Sequence, residues 1–294
     1  MACFTSNTIV LTSNGYKSIQ SLNTSDLVFT HKSNWKPIVN SHETVSTGAI
    51  ITIKSAGSTT PIQSTAEQPF LTKCMNSTGF GPCDFILSEK TSWTPANSLK
   101  AGKHMLCVPI EQSSQLVTIN IEIDGEKRSP SEIDWFMVGF YVGKGKHVLE
   151  VNFIPPGWNI LREFTSCPDS ETAICNCIPE WVQRLPIEKI SSFIQGFEKS
   201  AARHYGFTVS NELVALCMQR LYAKLKLFVA IDMTTECVTL IPGTDADLVK
   251  FDDHYMYIPI ESVSDEQKQA KVYNIKVVDD YSYVVENMAA CNKN

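Results

Sequence analysis

Ten cysteines are the side chains of this 294-residue chain with the widest choice of chemistry: Cys3, Cys74, Cys83, Cys107, Cys167, Cys175, Cys177, Cys217, Cys237 and Cys291. A thiolate is both a nucleophile and a metal ligand, so spacing and compartment decide which use is open to it. Cys175-Asn176-Cys177, with Cys167 nearby, is the arrangement that invites a metal reading. No histidine stands at finger-like spacing beside it and a fourth ligand is missing. Separate thiols are therefore expected, and no resident metal. The opening MACFTSNTIV lacks a basic stretch followed by an apolar core, so no secretory leader is expected. Reduced thiols in a cytosol-like compartment follow, with cytoplasm, nucleus and viral particle all left open.

Those groups need elements to position them. The length suits two domains, each with its own core, and 43% hydrophobic with 19% charged residues is a globular composition. No apolar run is long enough to span a bilayer, so no membrane partner is expected. The net charge of −6 argues against a dedicated nucleic-acid binder, which usually carries a basic face. Residues 111–250 hold 18 acidic against 13 basic side chains, so the middle of the chain is acidic too.

From residue 3 to about 110 the pattern is one of short β runs between turn signals. Thr8-Ile9-Val10-Leu11, Asp26 to Thr30 and Ala49 to Ile53 are broken by Ser13-Asn14-Gly15 and Ala56-Gly57-Ser58. Trp93-Thr94-Pro95 and Met105 to Ile110 close this part, which reads as a curled all-β domain. A polar stretch over 111–130 follows, and the period becomes helical. Ile133, Phe136, Met137, Phe140 and Tyr141 fall on one helical face. A second helix is expected over Glu188 to Ala202, with Ile190, Phe193, Ile194 and Phe197 inward. A third, Asn211 to Leu225, sets Leu213, Leu216, Leu221 and Leu225 among Gln219, Arg220 and Lys224. After about residue 250 the β pattern returns with Tyr255 to Ile258, Val272 to Val277 and Ser282 to Val285. Such an order implies a β domain interrupted by an insert whose two joints lie close in space.

The run from Cys3 through Gly15 to Lys17-Ser18-Ile19 looks like the start of an intein. Ser25-Asp26-Leu27-Val28, Trp93 to Gly102, and Val272 to Asn287 resemble later blocks of that family in the right order. In the middle, Val138-Gly139-Phe140-Tyr141-Val142-Gly143-Lys144-Gly145 resembles a first LAGLIDADG helix. Ile178 to Gly196-Phe197 resembles the lead-in and start of the second, and the helix 211–225 resembles the one that follows it. The resemblance implies a mainly β Hint-type horseshoe over 1–110 and 251–294, interrupted by an α+β LAGLIDADG homing-endonuclease-like domain over 111–250. The implied activities are protein splicing and DNA cleavage.

Splicing of this kind begins when the thiol of the first residue attacks the carbonyl before it. That step needs a polarised amide and a proton donor for the departing amine. By the resemblance Cys3 is that nucleophile and Ala2 supplies the carbonyl. The family's Thr-x-x-His is matched by Thr65-Ala66-Glu67-Gln68, and a glutamine can donate a hydrogen bond but not act as an acid. In the later block Asp280 is kept while Tyr281 stands at the histidine position, a phenol with pKa near ~10. At the C-terminus the gapless match puts Asn292 at the histidine position and Lys293 at the cyclising asparagine. A shift of one residue makes Asn292 or Asn294 the cyclising residue, without a complete splicing site either way.

The nuclease part departs similarly. Its two acids hold divalent metal between DNA strands; Lys144 and Ala201 stand at those positions, and Glu198, one turn early, reads as a solvated helix charge. Mg²⁺ would be required only if that site were active. Gly139 and Gly143 would still let the two helices approach. The expectation is therefore an intein-like protein with an inactive nuclease module and impaired splicing. Two alternatives stand beside it. A free-standing scaffold derived from an intein would act through a protein assembly partner, and Met1-Ala2 directly before Cys3 has the look of a translation start. A non-cleaving protein would bind double-stranded DNA, weakly, given the acidic middle.

Overall fold

The structure, a computed structural model, describes residues 2–58, 60–79, 85–111, 121–123, 126–144, 149–150, 172–173, 178–203, 205–234, 237–243 and 246–292. Cys83, Cys167, Cys175, Cys177, Gly145, Lys293 and Asn294 lie outside them. The chain forms two compact units, Met1–Ile110 with Asp245–Asn294, and Glu111–Thr244. Mainly β structure is the dominant character, and the helices described are concentrated in the second unit.

In the first unit, among the described residues, sixteen strands join in one antiparallel ladder. Its path runs from Ser92–Pro95 through Pro69–Ser77, His104–Pro109 and Tyr255–Gln267 to Ala49–Ser55, Ile62–Thr65 and Phe4–Thr5. It continues through Ala270–Val277, Trp35–Ser46, Leu27–Phe29, Ile9–Thr12 and Ser282–Val285 to Met288–Cys291. That last strand pairs back onto Pro69–Ser77 through Ala290 and Phe70, so the ladder closes on itself and leaves few free edges. The turns expected at Gly15 and Gly57 have φ of +90° and +67°, conformations that glycine adopts without strain.

Closure brings together segments far apart in sequence. Phe4 pairs with Tyr273 on one side and Ser64 on the other. Its ring meets Phe70 edge-on at 5.7 Å and Tyr283 at 5.9 Å, with all three rings buried. Geometry of this kind adds about 0.5–1.5 kcal/mol per ring pair beyond area burial. The two joints of the first unit also meet: Pro109 is in register with Tyr255, and the Ile110 N–H donates to the His254 carbonyl at 2.8 Å.

In the second unit, α1 (Glu132–Gly143) starts at a capping box in which the Ser131 hydroxyl accepts from the Asp134 N–H, while the Asp134 carboxylate accepts from the Ser131 N–H. The other α-helices among the described residues are α2 (Ile187–Ala201) and α3 (Glu212–Lys224), the latter capped by the Asn211 side chain on the Val214 N–H. A four-stranded antiparallel sheet accompanies them, in the order Ala202–Arg203, Gly206–Val209, Val238–Pro242 and Val229–Met233.

The buried face of α1 is not the one that apolar spacing picks out. Trp135, Val138, Gly139, Val142 and Gly143 are buried, Phe136, Met137, Phe140 and Tyr141 are half-buried, and Ile133 is 75% exposed. Helix-to-helix approach through glycine decides the inward side here. A Cβ added at Gly139 would stand 1.8 Å from the Phe193 carbonyl oxygen, and one at Gly196 would stand 1.8 Å from that of Phe136. The contact is reciprocal, with each partner displaced by the same 57 positions (139 to 196, 136 to 193).

Candidate functional site

Around Cys3 the ladder places the residues whose types matter. The Cys3 N–H, the nitrogen of the Ala2–Cys3 peptide, donates to the Thr65 hydroxyl at 3.0 Å, and the Thr65 N–H donates to the Cys3 carbonyl at 2.9 Å. Cys3 and Thr65 are thus brought together across the pairing of Phe4 with Ser64. The Cys3 thiol is fully buried, and desolvation pushes it up to about 11. Near neutral pH it is a thiol, with a thiolate fraction on the order of 10⁻⁴.

Gln68 is fully buried three residues further on. Its Nε2 donates to the Pro69 carbonyl at 3.1 Å and to the Cys291 carbonyl at 2.8 Å, while its Oε1 finds no hydrogen-bond partner among the described residues. It therefore binds the peptide that joins Cys291 to Asn292, and the Ala2–Cys3 peptide carries no recorded bond from it. Asn292, 5% exposed, donates from Nδ2 to the Ile275 carbonyl at 3.0 Å and leaves Oδ1 buried without a partner among the described residues. An unpaired buried carbonyl of this kind costs on the order of 1–3 kcal/mol. Tyr283, whose hydroxyl donates to Asn274 Oδ1 at 3.2 Å, lies within electrostatic range of both Cys3 and Cys291. The N-terminal and C-terminal candidates therefore share one buried region.

Asp280 belongs to a different cluster. Its carboxylate accepts from the Thr30 hydroxyl at 2.7 Å, from Asn34 Nδ2 at 3.2 Å and from Lys32 Nζ at 3.1 Å. Burial works against its charge, but these donors outweigh it and hold the carboxyl below its ordinary value. Tyr281 is 56% exposed, so the phenol at the family's histidine position turns to solvent. The backbone here is tight: Asp279 has φ +60° and Tyr281 φ +49°, and left-handed non-glycine residues cost on the order of 1–3 kcal/mol each.

Next to this turn is a pair that no spacing in the chain announces. His31 Nδ1 stands 2.6 Å from the Ser282 hydroxyl, and the His31 N–H also donates to that oxygen at 3.2 Å. Ser282 is fully buried, and the His31 ring lies edge-on to Trp93 at 5.3 Å. Burial lowers the His31 pKa, and the opposing pull of Asp280 is the smaller influence. With 250 residues between the two, only the fold reveals them; a polar serine leading into the apolar run Tyr283-Val284-Val285 is the one local hint.

In the second unit Lys144 caps α1, exposed, with its ammonium 5.0 Å from the centre of the Phe140 ring. Ala201 ends α2 and its Cβ is 3.2 Å from where a Cβ on Gly143 would be. Glu198 is no solvated charge: it is half-buried, and the Tyr222 hydroxyl donates to it at 2.8 Å. Among the described residues no cluster of three or more His, Cys, Asp or Glu could hold a metal ion. The polar residues of α3 turn inward. Arg220 reaches both Glu180 oxygens at 2.9 and 3.0 Å, Arg184 and Arg220 flank Glu111 at 3.6 and 3.7 Å, and Lys224 donates to the Gln183 carbonyl. Desolvation, the largest influence, pushes Glu180 up to about 7 against the pull of Arg220, and brings Lys224 down to about 8. Among the described residues no helix is long and apolar enough to cross a membrane.

No protein-family model matches the chain, and no curated protein does. Two solved structures to which the chain shows a distant likeness are an intein variant and an intein-like domain. A crystal structure of a mutant of an Ssp DnaB mini-intein variant is 10% identical with a TM-score of 0.40, covering 99% of this chain and 98% of that one. The solution structure of a bacterial intein-like domain from Clostridium thermocellum is 11% identical with a TM-score of 0.36, over 99% and 98%. Neither likeness is close enough to carry a functional conclusion.

Proposed function

We propose that this chain is a degenerate intein. A Hint-type splicing domain over 1–110 and 251–294 is interrupted by a two-fold LAGLIDADG-like module over 111–250, and both parts are folded but catalytically impaired. The observation that carries the reading is at the Ala2–Cys3 peptide. A threonine hydroxyl holds the nitrogen of that peptide at 3.0 Å, as an acyl shift onto the Cys3 thiol would need for orientation. The residue three positions later is Gln68, an amide that cannot protonate the departing amine and is bound instead to the Cys291 carbonyl. The thiol, raised to about 11 by desolvation, completes a site with attacking group and positioning intact but without acid or thiolate.

Support for the module comes from the α1–α2 seam. Two helices related by a constant offset and meeting backbone-to-backbone through Gly139 and Gly196 are what a duplicated helix pair requires. At the ends of that seam Lys144 and Ala201 stand where two metal-holding carboxylates would be needed.

A reporter fused ahead of Cys3 tests the reading. Incubated with a small thiol, the wild-type fusion releases little reporter, whereas Gln68→His raises the rate by on the order of 10²-fold or more, the usual contribution of a general acid. Efficient thiol-dependent release from the wild-type fusion would refute the impairment.

A further inference from the structure

We infer that the Tyr281–Ser282 peptide is a self-cleavage site, in which the Ser282 hydroxyl, deprotonated by His31, attacks the Tyr281 carbonyl in an N-to-O acyl shift. Three features converge on this one bond. The Ser282 hydroxyl is 2.6 Å from His31 Nδ1. The His31 N–H donates to the same oxygen at 3.2 Å, and in the ring tautomer protonated at Nε2 the hydroxyl proton bonds Nδ1, the arrangement the step requires. The Tyr281 carbonyl accepts the Asn292 N–H at 2.9 Å, a fixed donor where negative charge would develop. Tyr281 itself is held at φ +49°, two residues after Asp279 at φ +60°, so cleavage relieves backbone strain that the intact turn must carry.

The step balances within the chain. The Ser282 oxygen forms a bond to the Tyr281 carbonyl carbon as its proton passes to His31 Nδ1. The oxyanion forms against the Asn292 N–H. Collapse breaks the carbon–nitrogen bond, and the Ser282 amine leaves with the proton that His31 returns. An ester now joins Tyr281 to the Ser282 side chain, and hydrolysis or capture by hydroxylamine separates the chain there. Among the described residues Asp280 makes no hydrogen bond to His31, but its carboxylate, anchored by Thr30, Lys32 and Asn34, supplies the negative charge that favours the transient imidazolium. An intramolecular attack needs no solvent path to the buried Ser282, whereas among the described residues no base is hydrogen-bonded to the equally buried Cys3 thiol, and the nearby Glu67 carboxylate only raises it further. The product is a 13-residue C-terminal fragment beginning at Ser282. It stays paired to Pro69–Ser77 through Ala290 until the protein is denatured.

The test uses the folded full chain, incubated with hydroxylamine at neutral pH, then denatured and weighed by intact mass spectrometry. Fragments ending in a Tyr281 hydroxamate and beginning at Ser282 are expected. Ser282→Ala abolishes them, His31→Asn slows their appearance on the order of 10²-fold, and Ser282→Cys, judged folded by its circular dichroism, gives the same cut with a small thiol in place of hydroxylamine. Absence of the fragments from the wild-type chain, or their persistence in Ser282→Ala, overturns the assignment. An unchanged rate in His31→Asn overturns the role given to His31.

Discussion

Replacing Gly139 by alanine pits two effects of opposite sign against each other, and the α1–α2 seam decides between them. Alanine is the better helix former by about 1 kcal/mol, so in an exposed helix the change would stabilise. Here the new methyl would stand 1.8 Å from the Phe193 carbonyl oxygen, with the Phe197 backbone nitrogen at 3.0 Å. A tolerable carbon–oxygen contact is near 3.3 Å, so the helices must separate by about 1.5 Å. Neither wall is a flexible side chain, so the cost falls near the top of the overpacking range, about 3 kcal/mol. The net is a loss of about 2 kcal/mol, or roughly 8 °C in Tm for a unit of this size. The helix signal in far-UV circular dichroism reports this unit, since all three described α-helices belong to it. The double change Gly139→Ala with Gly196→Ala should cost less than the sum, because the first methyl has already opened the seam for the second. Gln195→Ala, at an exposed position of α2, is the control and should move Tm little. A rise in Tm for Gly139→Ala, or full additivity in the double variant, would refute the reciprocal close approach.

Two further outcomes follow from the same unit. Lys144→Asp combined with Ala201→Asp places a carboxylate at each end of the paired helices, and this variant should bind Mg²⁺ by titration calorimetry while the wild-type chain does not. At a hundredfold excess over Kd the ion should restore about 2.7 kcal/mol of stability, and indifference to Mg²⁺ would show that these helix ends do not correspond. Glu180, pushed up to about 7 by burial, holds its proton more tightly folded than unfolded, so the folded state gains where the proton is bound. Its contribution is complete below the unfolded value of ~4.3 and is lost as pH rises to about 7, with a slope of at most about 1.4 kcal/mol per pH unit. Urea midpoints across that window should fall in the wild-type chain, and an equal slope in Glu180→Gln would exclude Glu180 as its source.

Much of the β architecture was legible because apolar alternation and glycine turns are local. Ser282–Val285 has the bounds that pattern gives it, and Ala49–Ser55 extends the expected run by two residues. Trp35–Ser46 gives no such signal, because seven of its twelve residues are polar or charged and most of it is exposed. Register against Ala270–Val277 makes it a strand, not its own side chains. The same limit hid the chemistry. The Thr65 contact with Cys3 follows from a block of four residues, but Gln68 on Cys291 and His31 on Ser282 are products of ladder closure across more than 220 positions. Apolar spacing alone points α1 the wrong way because it gives no weight to glycine, whereas the glycines that the family resemblance marks, Gly139 and Gly143, do set the helix contact.

The hydrogen bond from Ile110 to His254 has a consequence for how such a chain could have arisen. Two neighbouring strands already zipped together treat whatever lies between them as a hairpin loop. Lengthening a loop from about five residues to about 140 costs only about 3 kcal/mol of closure entropy, and less if the passenger's own ends meet. A β unit joined in this way can therefore carry a long connection at that hairpin while its own strand pairing stays unchanged.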